Sequence, residues 1–206
     1  MARHPSLEPR LNARRDDVAL GQRARLLAAM AGVVAERGYA ATTVAHVVRE
    51  AGVSRTTFYE QFASKEACFL EAYRHGVEVL DEDVGRAVSA CEGDWRAKLR
   101  AGIRAYLESL AAEPLFARTY LLEIHSAGEA ALAERSTALR AFSERYAATA
   151  QAAGVREPHP DALMVLCAGT EQLCAERLRD SGDIRALEDV FMLTAEAVLL
   201  GSTKES

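Results

Sequence analysis

No stretch of the 206-residue chain is apolar for the roughly 20 residues that a membrane-spanning helix needs. The opening segment, MARHPSLEPRLNARRDD, has no apolar core of a secretory signal. The expectation is a cytoplasmic protein with no membrane partner. Cysteine is scarce: Cys68, Cys91, Cys167 and Cys174 include no C-x-x-C pair and no metal-ligand spacing. They read as small buried residues rather than redox groups, and Cys167 and Cys174 share one helix face. Proline is rare and strand-like alternation is missing, so the chain reads as all-α. Also missing are a Gly-rich phosphate loop, G-x-S-x-G, H-E-x-x-H and the E-x-x-H pair of a di-iron bundle. Glu123 and His125 are two apart and so point to different faces of a helix. The chain is therefore expected to have no enzymatic activity, cofactor or metal site.

What is present is an uneven charge. The net charge of −5 argues against nucleic acid when the chain is taken whole. Up to Lys65, however, ten Arg or Lys face six Asp or Glu, which makes that part +4 and leaves −9 for the remainder. Such asymmetry suggests a basic module on an acidic body.

Apolar periodicity predicts a helix from about Val18 to Arg37, ended by Gly38. Thr43 caps a short helix whose Val44, Val47 and Val48 form one face, and Gly52 closes it. Ser54 caps a second short helix with Phe58 and Phe62 inward at i, i+4, and Ser64 caps a longer one over 65–91. Further helices are predicted at about 94–112, 114–126, 128–153, 160–180 and 184–200. The last two are apolar on more than one side, as a helix buried against another subunit would be. The implied organisation is an arm over 1–17, a small helical domain over 18–64, a connector helix over 65–91 and a larger domain over 92–206.

Helix, Gly-containing turn and a second, polar-faced short helix make a helix-turn-helix. Its apolar residues would lock the crossing angle and turn Arg55, Thr56 and Tyr59 outward. Arg can pair with guanine, and Thr offers both a hydroxyl and a methyl to base edges in a major groove. The helix N-termini after Thr43 and Ser64 can each take a phosphate, with Lys65 adding charge beside the second. His46 reads as a solvent-side residue. The arm's Arg3, Arg10, Arg14 and Arg15 could enter a minor groove or form a tail that contributes nothing.

The segment GYAATTVAHVVREAGVSRTTFYEQFASKEACFLEAY resembles the DNA-binding domain of the tetracycline-repressor (TetR) family. G-Y, T-T, A-G-V-S, T-F-Y-x-x-F and a following Lys match that family's pattern over about residues 20–75. Gln61 departs from it, standing where the family most often has a phosphate-contacting histidine. The resemblance implies DNA contacts by Thr43, Ser54, Arg55, Thr56, Thr57, Tyr59, Gln61 and Lys65 within a motif at about 42–61. It implies an all-α homodimer on a palindromic operator, with a C-terminal domain for ligand binding and dimerisation. Most such proteins are repressors released from DNA by a small-molecule inducer.

For the pocket, the expected residues are Trp95, Tyr106, Phe116, Tyr120 and His125, although aromatics at helical spacing are also ordinary core. For the dimer interface they are Leu163, Leu166, Cys167, Leu173, Leu187, Phe191, Thr194 and Val198. A ligand near the pocket residues would push on the helix over 65–91, through Phe69 and Tyr73. The alternative is a helical small-molecule carrier or enzyme that binds no operator.

Overall fold

A computed structural model describes residues 8–155 and 158–201, with side chains from residue 21 onward. Among these residues every regular element is helical. The chain divides into two compact units, Met1–Ala72 and Tyr73–Ser206.

The first unit holds α1 (Glu8–Arg37), α2 (Val44–Ala51), α3 (Arg55–Gln61) and the start of α4 (Lys65–Ala90). Isolated helices as short as α2 and α3 are marginal in water, so caps and packing must hold them. Thr43 accepts from the His46 amide, and His46 Nδ1 accepts from the Thr43 amide, closing a capping box. His46 is thus a capping residue rather than only a solvent-side one. Gly52 ends α2 at φ 63°, ψ 38°, with Val53 N–H returning to Val48 O, the doubly bonded left-handed cap. Two residues later the Ser54 hydroxyl accepts from the Thr57 amide at 3.0 Å and starts α3.

The core of this unit comes from Leu26, Met30 and Val34 of α1, Val47 of α2, Phe58 and Phe62 around α3, and Cys68 and Phe69 of α4. Arg23 adds a polar tie. Its guanidinium forks onto Glu71, donates to Gln61 O at 2.8 Å and lies 4.4 Å from the Phe62 ring.

The second unit runs on through α4 into α5 (Trp95–Ala112), α6 (Pro114–Leu121), α7 (Glu129–Ala152), α8 (Pro160–Arg179) and α9 (Glu188–Gly201). Single 3-10 turns at Glu123–Ser126 and Ile184–Leu187 precede α7 and α9. Asp94 caps α5 through the Ala97 amide, and Pro114 and Pro160 occupy first turns, where a missing N–H costs nothing. Across the bundle Arg145 of α7 forks onto Asp81 of α4, while Arg100 and Arg104 of α5 reach Glu188 of α9 at 2.8–2.9 Å.

Three expectations need correction. Helix α1 starts at Glu8 rather than about Val18, because Leu, Ala and Arg after Pro9 favour helix and no Gly or Pro interrupts them before Gly21. Residues 8–17, expected as part of the arm, are thus helical, and Arg3 and the side chains of Arg10, Arg14 and Arg15 lie outside what the structure describes. The predicted helices at 114–126 and 184–200 each contain a tighter 3-10 turn.

The interface residues are the third correction. Leu163, Leu166, Cys167, Leu187 and Phe191 are buried within this chain's own core. The apolar side chains that α8 and α9 leave exposed are Val165, Leu173, Val190 and Leu193, the first and last at 71% and 69%. Of the expected set, only Leu173 and Thr194 are exposed, with Val198 partly so.

Gly52→Ala tests the turn alone, since a Cβ there would meet no atom within 4 Å. Its left-handed backbone should make the alanine variant less stable by about 1–2 kcal/mol. Chemical denaturation followed by circular dichroism measures this, and an unchanged midpoint would show the turn to be unstrained.

Candidate functional site

Two surfaces carry chemistry, one in each unit. In the first, α3 buries Phe58 and presents Arg55, Thr56 and Tyr59 on its exposed side. Arg55 is held loosely: its Nη2 lies 3.5 Å from the Tyr59 hydroxyl and its guanidinium 5.7 Å from that ring. A guanidinium so placed is preoriented yet free to take a better acceptor. Tyr59 is about half exposed (49%) and packs edge-on against Phe58 with centroids 5.4 Å apart.

The other expected contact residues have structural partners already. Ser54 and Thr57 bond each other's hydroxyls at 2.9 Å as well as capping α3. The Gln61 side-chain oxygen accepts from Arg23 at 3.4 Å, so its amide nitrogen is the end left to donate. Lys65 differs most from expectation. Its ammonium donates to Tyr39 O at 2.9 Å and Thr42 O at 3.0 Å and sits 4.0 Å from the Tyr39 ring. Desolvation lowers its pKa. Two of three donors are committed to the α1–α2 turn, so Lys65 fixes Thr43 in place more than it offers charge to a phosphate.

The second surface is internal. A cavity of about 310 Å³ lies among α4, α5, α7 and α8, with Tyr120 of α6 and Phe191 of α9 completing it. Along α5 its wall runs from Trp95 through Leu99, Gly102 and Ile103 to Tyr106. Opposite, α7 contributes Leu139, Phe142, Arg145, Tyr146, Thr149 and Ala152, and α4 contributes Val84 and Val88. The tyrosine end is polar but buried. Desolvation raises the Tyr106 and Tyr120 phenols well above their usual range.

Beside them Glu171 of α8 is buried, with 2% of its surface exposed. Its Oε2 is ion-paired with Arg135 at 2.5 Å, and Oε1 has no hydrogen-bond donor among the described residues. Desolvation raises the Glu171 pKa, with Arg135 opposing.

Of the expected pocket residues, Trp95, Tyr106 and Tyr120 line this cavity. Phe116 and His125 do not. The Phe116 ring stacks behind Tyr120 at 5.5 Å and fills the space above Gly76 of α4. His125 is exposed in the 3-10 turn, its pKa lowered by desolvation and by nearby Arg135 and Arg179. Sequence reasoning missed Glu171. The only signal for it was a carboxylate inside the otherwise apolar run LMVLCAGTEQLCA.

Residues 26–72 match the model of the family described as bacterial regulatory proteins, tetR family. Over these residues the chain is similar to the TetR family. Similar proteins include the transcriptional regulator EthR of Mycolicibacterium smegmatis, 30% identical over 46% of this chain and 44% of that protein. The regulator AlkX of Mycobacterium tuberculosis is 27% identical over 60% of this chain and 63% of its own. The match thus spans less than two thirds of each of these relatives.

A likeness of fold extends over nearly the whole chain. A fatty acid degradation regulator, FadR from Bacillus halodurans, superposes with a TM-score of 0.75 at 17% identity, covering 90% of this chain and 97% of its own. FadR from Bacillus subtilis, solved in complex with stearoyl-CoA, gives 0.73 at 18% identity, covering 87% and 98%. At these identities the likeness establishes the fold.

The chain's four cysteines are free thiols. Burial pushes Cys68 and Cys174 up to about 12, which leaves them protonated and unreactive at neutral pH.

Glu171 should make stability depend on pH. Because its native pKa is raised, the folded state keeps a proton that the unfolded state loses first. Its contribution is present below the ordinary carboxylate range, about pH 4, and is lost as pH rises from there through the native pKa. Glu171→Gln should remove that slope, so the melting temperature of the variant gains on wild type as pH rises above about 4. Parallel thermal melts across that range check this; parallel curves would show the native pKa to be ordinary.

Proposed function

We propose that this protein is a ligand-responsive transcriptional regulator that binds a palindromic operator as a homodimer. One observation carries the reading. On a helix-turn-helix whose core fixes α3, the side chains turned to solvent are Arg55, Thr56, Tyr59 and Glu60, of which the first three suit base edges and phosphates. The tetR-family match over the same residues supports it. So do the regulator names of the relatives, one of which, FasR of Mycolicibacterium smegmatis, is a transcriptional activator. Repression, the commoner mode in the family, is the mode proposed here.

The ligand response is supported by the cavity and by the stearoyl-CoA carried by one structural neighbour. Helix α4 belongs to both units: its first turns supply Cys68 and Phe69 to the N-terminal core, and Val84 and Val88 face the cavity. An inducer acting on α4 need supply only a modest coupling, about 1–3 kcal/mol, to release DNA.

Dimerisation is supported by the exposed stripe of Val165, Leu173, Val190 and Leu193. Paired with its symmetry mate, this face would form a four-helix, two-fold interface that sets the spacing of the recognition helices to half-sites about 34–36 Å apart.

Selection from random duplexes should enrich an inverted repeat, and no enrichment would overturn the reading. Against the selected site, Arg55→Ala should cost about 1–3 kcal/mol and relax preference at one base pair per half-site. Tyr59→Phe should weaken all sequences about equally, as loss of a backbone contact does. The reverse pattern in binding titrations would exchange the two roles.

Val165→Glu combined with Leu193→Glu should yield a folded monomer with little operator affinity, seen by sedimentation and titration. A dimer that survives both charges would place the interface elsewhere.

A further inference from the structure

The cavity is elongated and its two ends differ chemically. Trp95 and Tyr106 lie eleven residues apart on α5, about 16 Å by helical rise, and both line the wall. On α7, Phe142 meets Tyr106 ring to ring at 5.8 Å. Thr149 and Ala152 of α7 line the cavity as well. Between the ends the wall is Val84, Val88, Leu99 and Ile103. A dry cavity of about 150 Å³ is enough for benzene, so about 310 Å³ suits a slim molecule of roughly twice that bulk.

The charges at the inner end are already matched. Arg145 is satisfied by both carboxylate oxygens of Asp81, and Glu171 Oε2 by Arg135. What remains is an acceptor: Glu171 Oε1, on a buried side chain in the cavity wall, without a donor among the described residues. A cationic head group there would be held off by the Arg135 guanidinium, and an anionic one by the Glu171 carboxylate. A neutral donor meets neither penalty and satisfies the unpaired Glu171 Oε1.

We propose that the cavity binds a slender, mostly apolar molecule whose inner end carries an uncharged hydrogen-bond donor, a hydroxyl or amide N–H, directed at Glu171. This rests on the reading of the cavity as the effector site. The recognition residue is Glu171, positioned by Arg135, and the apolar wall selects length and width.

Trp95, the chain's one tryptophan, lines the cavity and reports its occupancy by fluorescence. Four probes of one chain length separate the possibilities: 1-decanol, its methyl ether, decanoate and decyltrimethylammonium. With wild type, 1-decanol should bind about tenfold more tightly than the ether, and both ions should bind more weakly than the alcohol. Glu171→Leu should bring alcohol and ether to equal affinity. Glu171→Gln keeps an acceptor oxygen and should retain the preference, so the comparison stands even where the leucine variant does not fold.

Equal binding of alcohol and ether by wild type, tightest binding of either ion, or no binding of any probe would overturn the proposal. Operator titrations with 1-decanol present separate the two readings. Donor-selective binding that leaves DNA affinity unchanged would uphold the Glu171 site and reject the cavity's role as effector site.

Discussion

Phe58 has none of its surface exposed, and its burial orients everything that α3 presents to solvent. A seven-residue helix cannot hold its own shape in water, so its geometry is borrowed from what lies beneath it. With Phe58 inward, the helical period turns Arg55, Thr56 and Tyr59 outward together. Phe62, the capping residue, extends the same anchor, and Arg23 covers its ring while tying α1 to Glu71. The polar face is thus a consequence of apolar packing a few ångströms below it.

Much of this was legible in the sequence because its causes are local. The Thr43, Ser54 and Ser64 caps, the left-handed Gly52 and the i, i+4 phenylalanines act within one or two turns, so their spacing alone specifies two short helices and the turn between them. The starts of α5, α7 and α8, expected at about 94, 128 and 160, fall within a residue of those positions. What escaped is set by distance along the chain. Lys65 finds its carbonyl partners on Tyr39 and Thr42, more than twenty residues back, and no local pattern distinguishes it from a lysine free to meet a phosphate. The two apolar stripes of α8 pose the same difficulty. Periodicity shows that Leu163 and Val165 lie on different sides, but only the packed bundle decides that Leu163 faces inward and Val165 outward. The aromatics divide likewise, with Tyr106 and Tyr120 in the cavity wall and Phe116 one layer behind.

The cavity also shows why a buried acid need not be a packing error. Glu171 costs desolvation that Arg135 only partly offsets, and a leucine of similar bulk would avoid that cost. An apolar cavity without it would accept any molecule of the right girth. A carboxylate with one oxygen unmatched rejects most of them, exchanging stability for discrimination.

The glycines of α4 and α5 bear on how rigidly the bundle responds. A Cβ at Gly76 would lie 2.0 Å from the Phe116 ring, and one at Gly102 would lie 3.0 Å from Val88. At both places a helix backbone rests directly on its neighbour's side chain, with no flexible stem between them to yield. Such a joint has little compliance: a displacement of a few tenths of an ångström on one side appears almost undiminished on the other, where a pair of long side chains would absorb it by changing rotamer. The stiffness of α4 against its neighbours is therefore set by two residues that have no side chain at all.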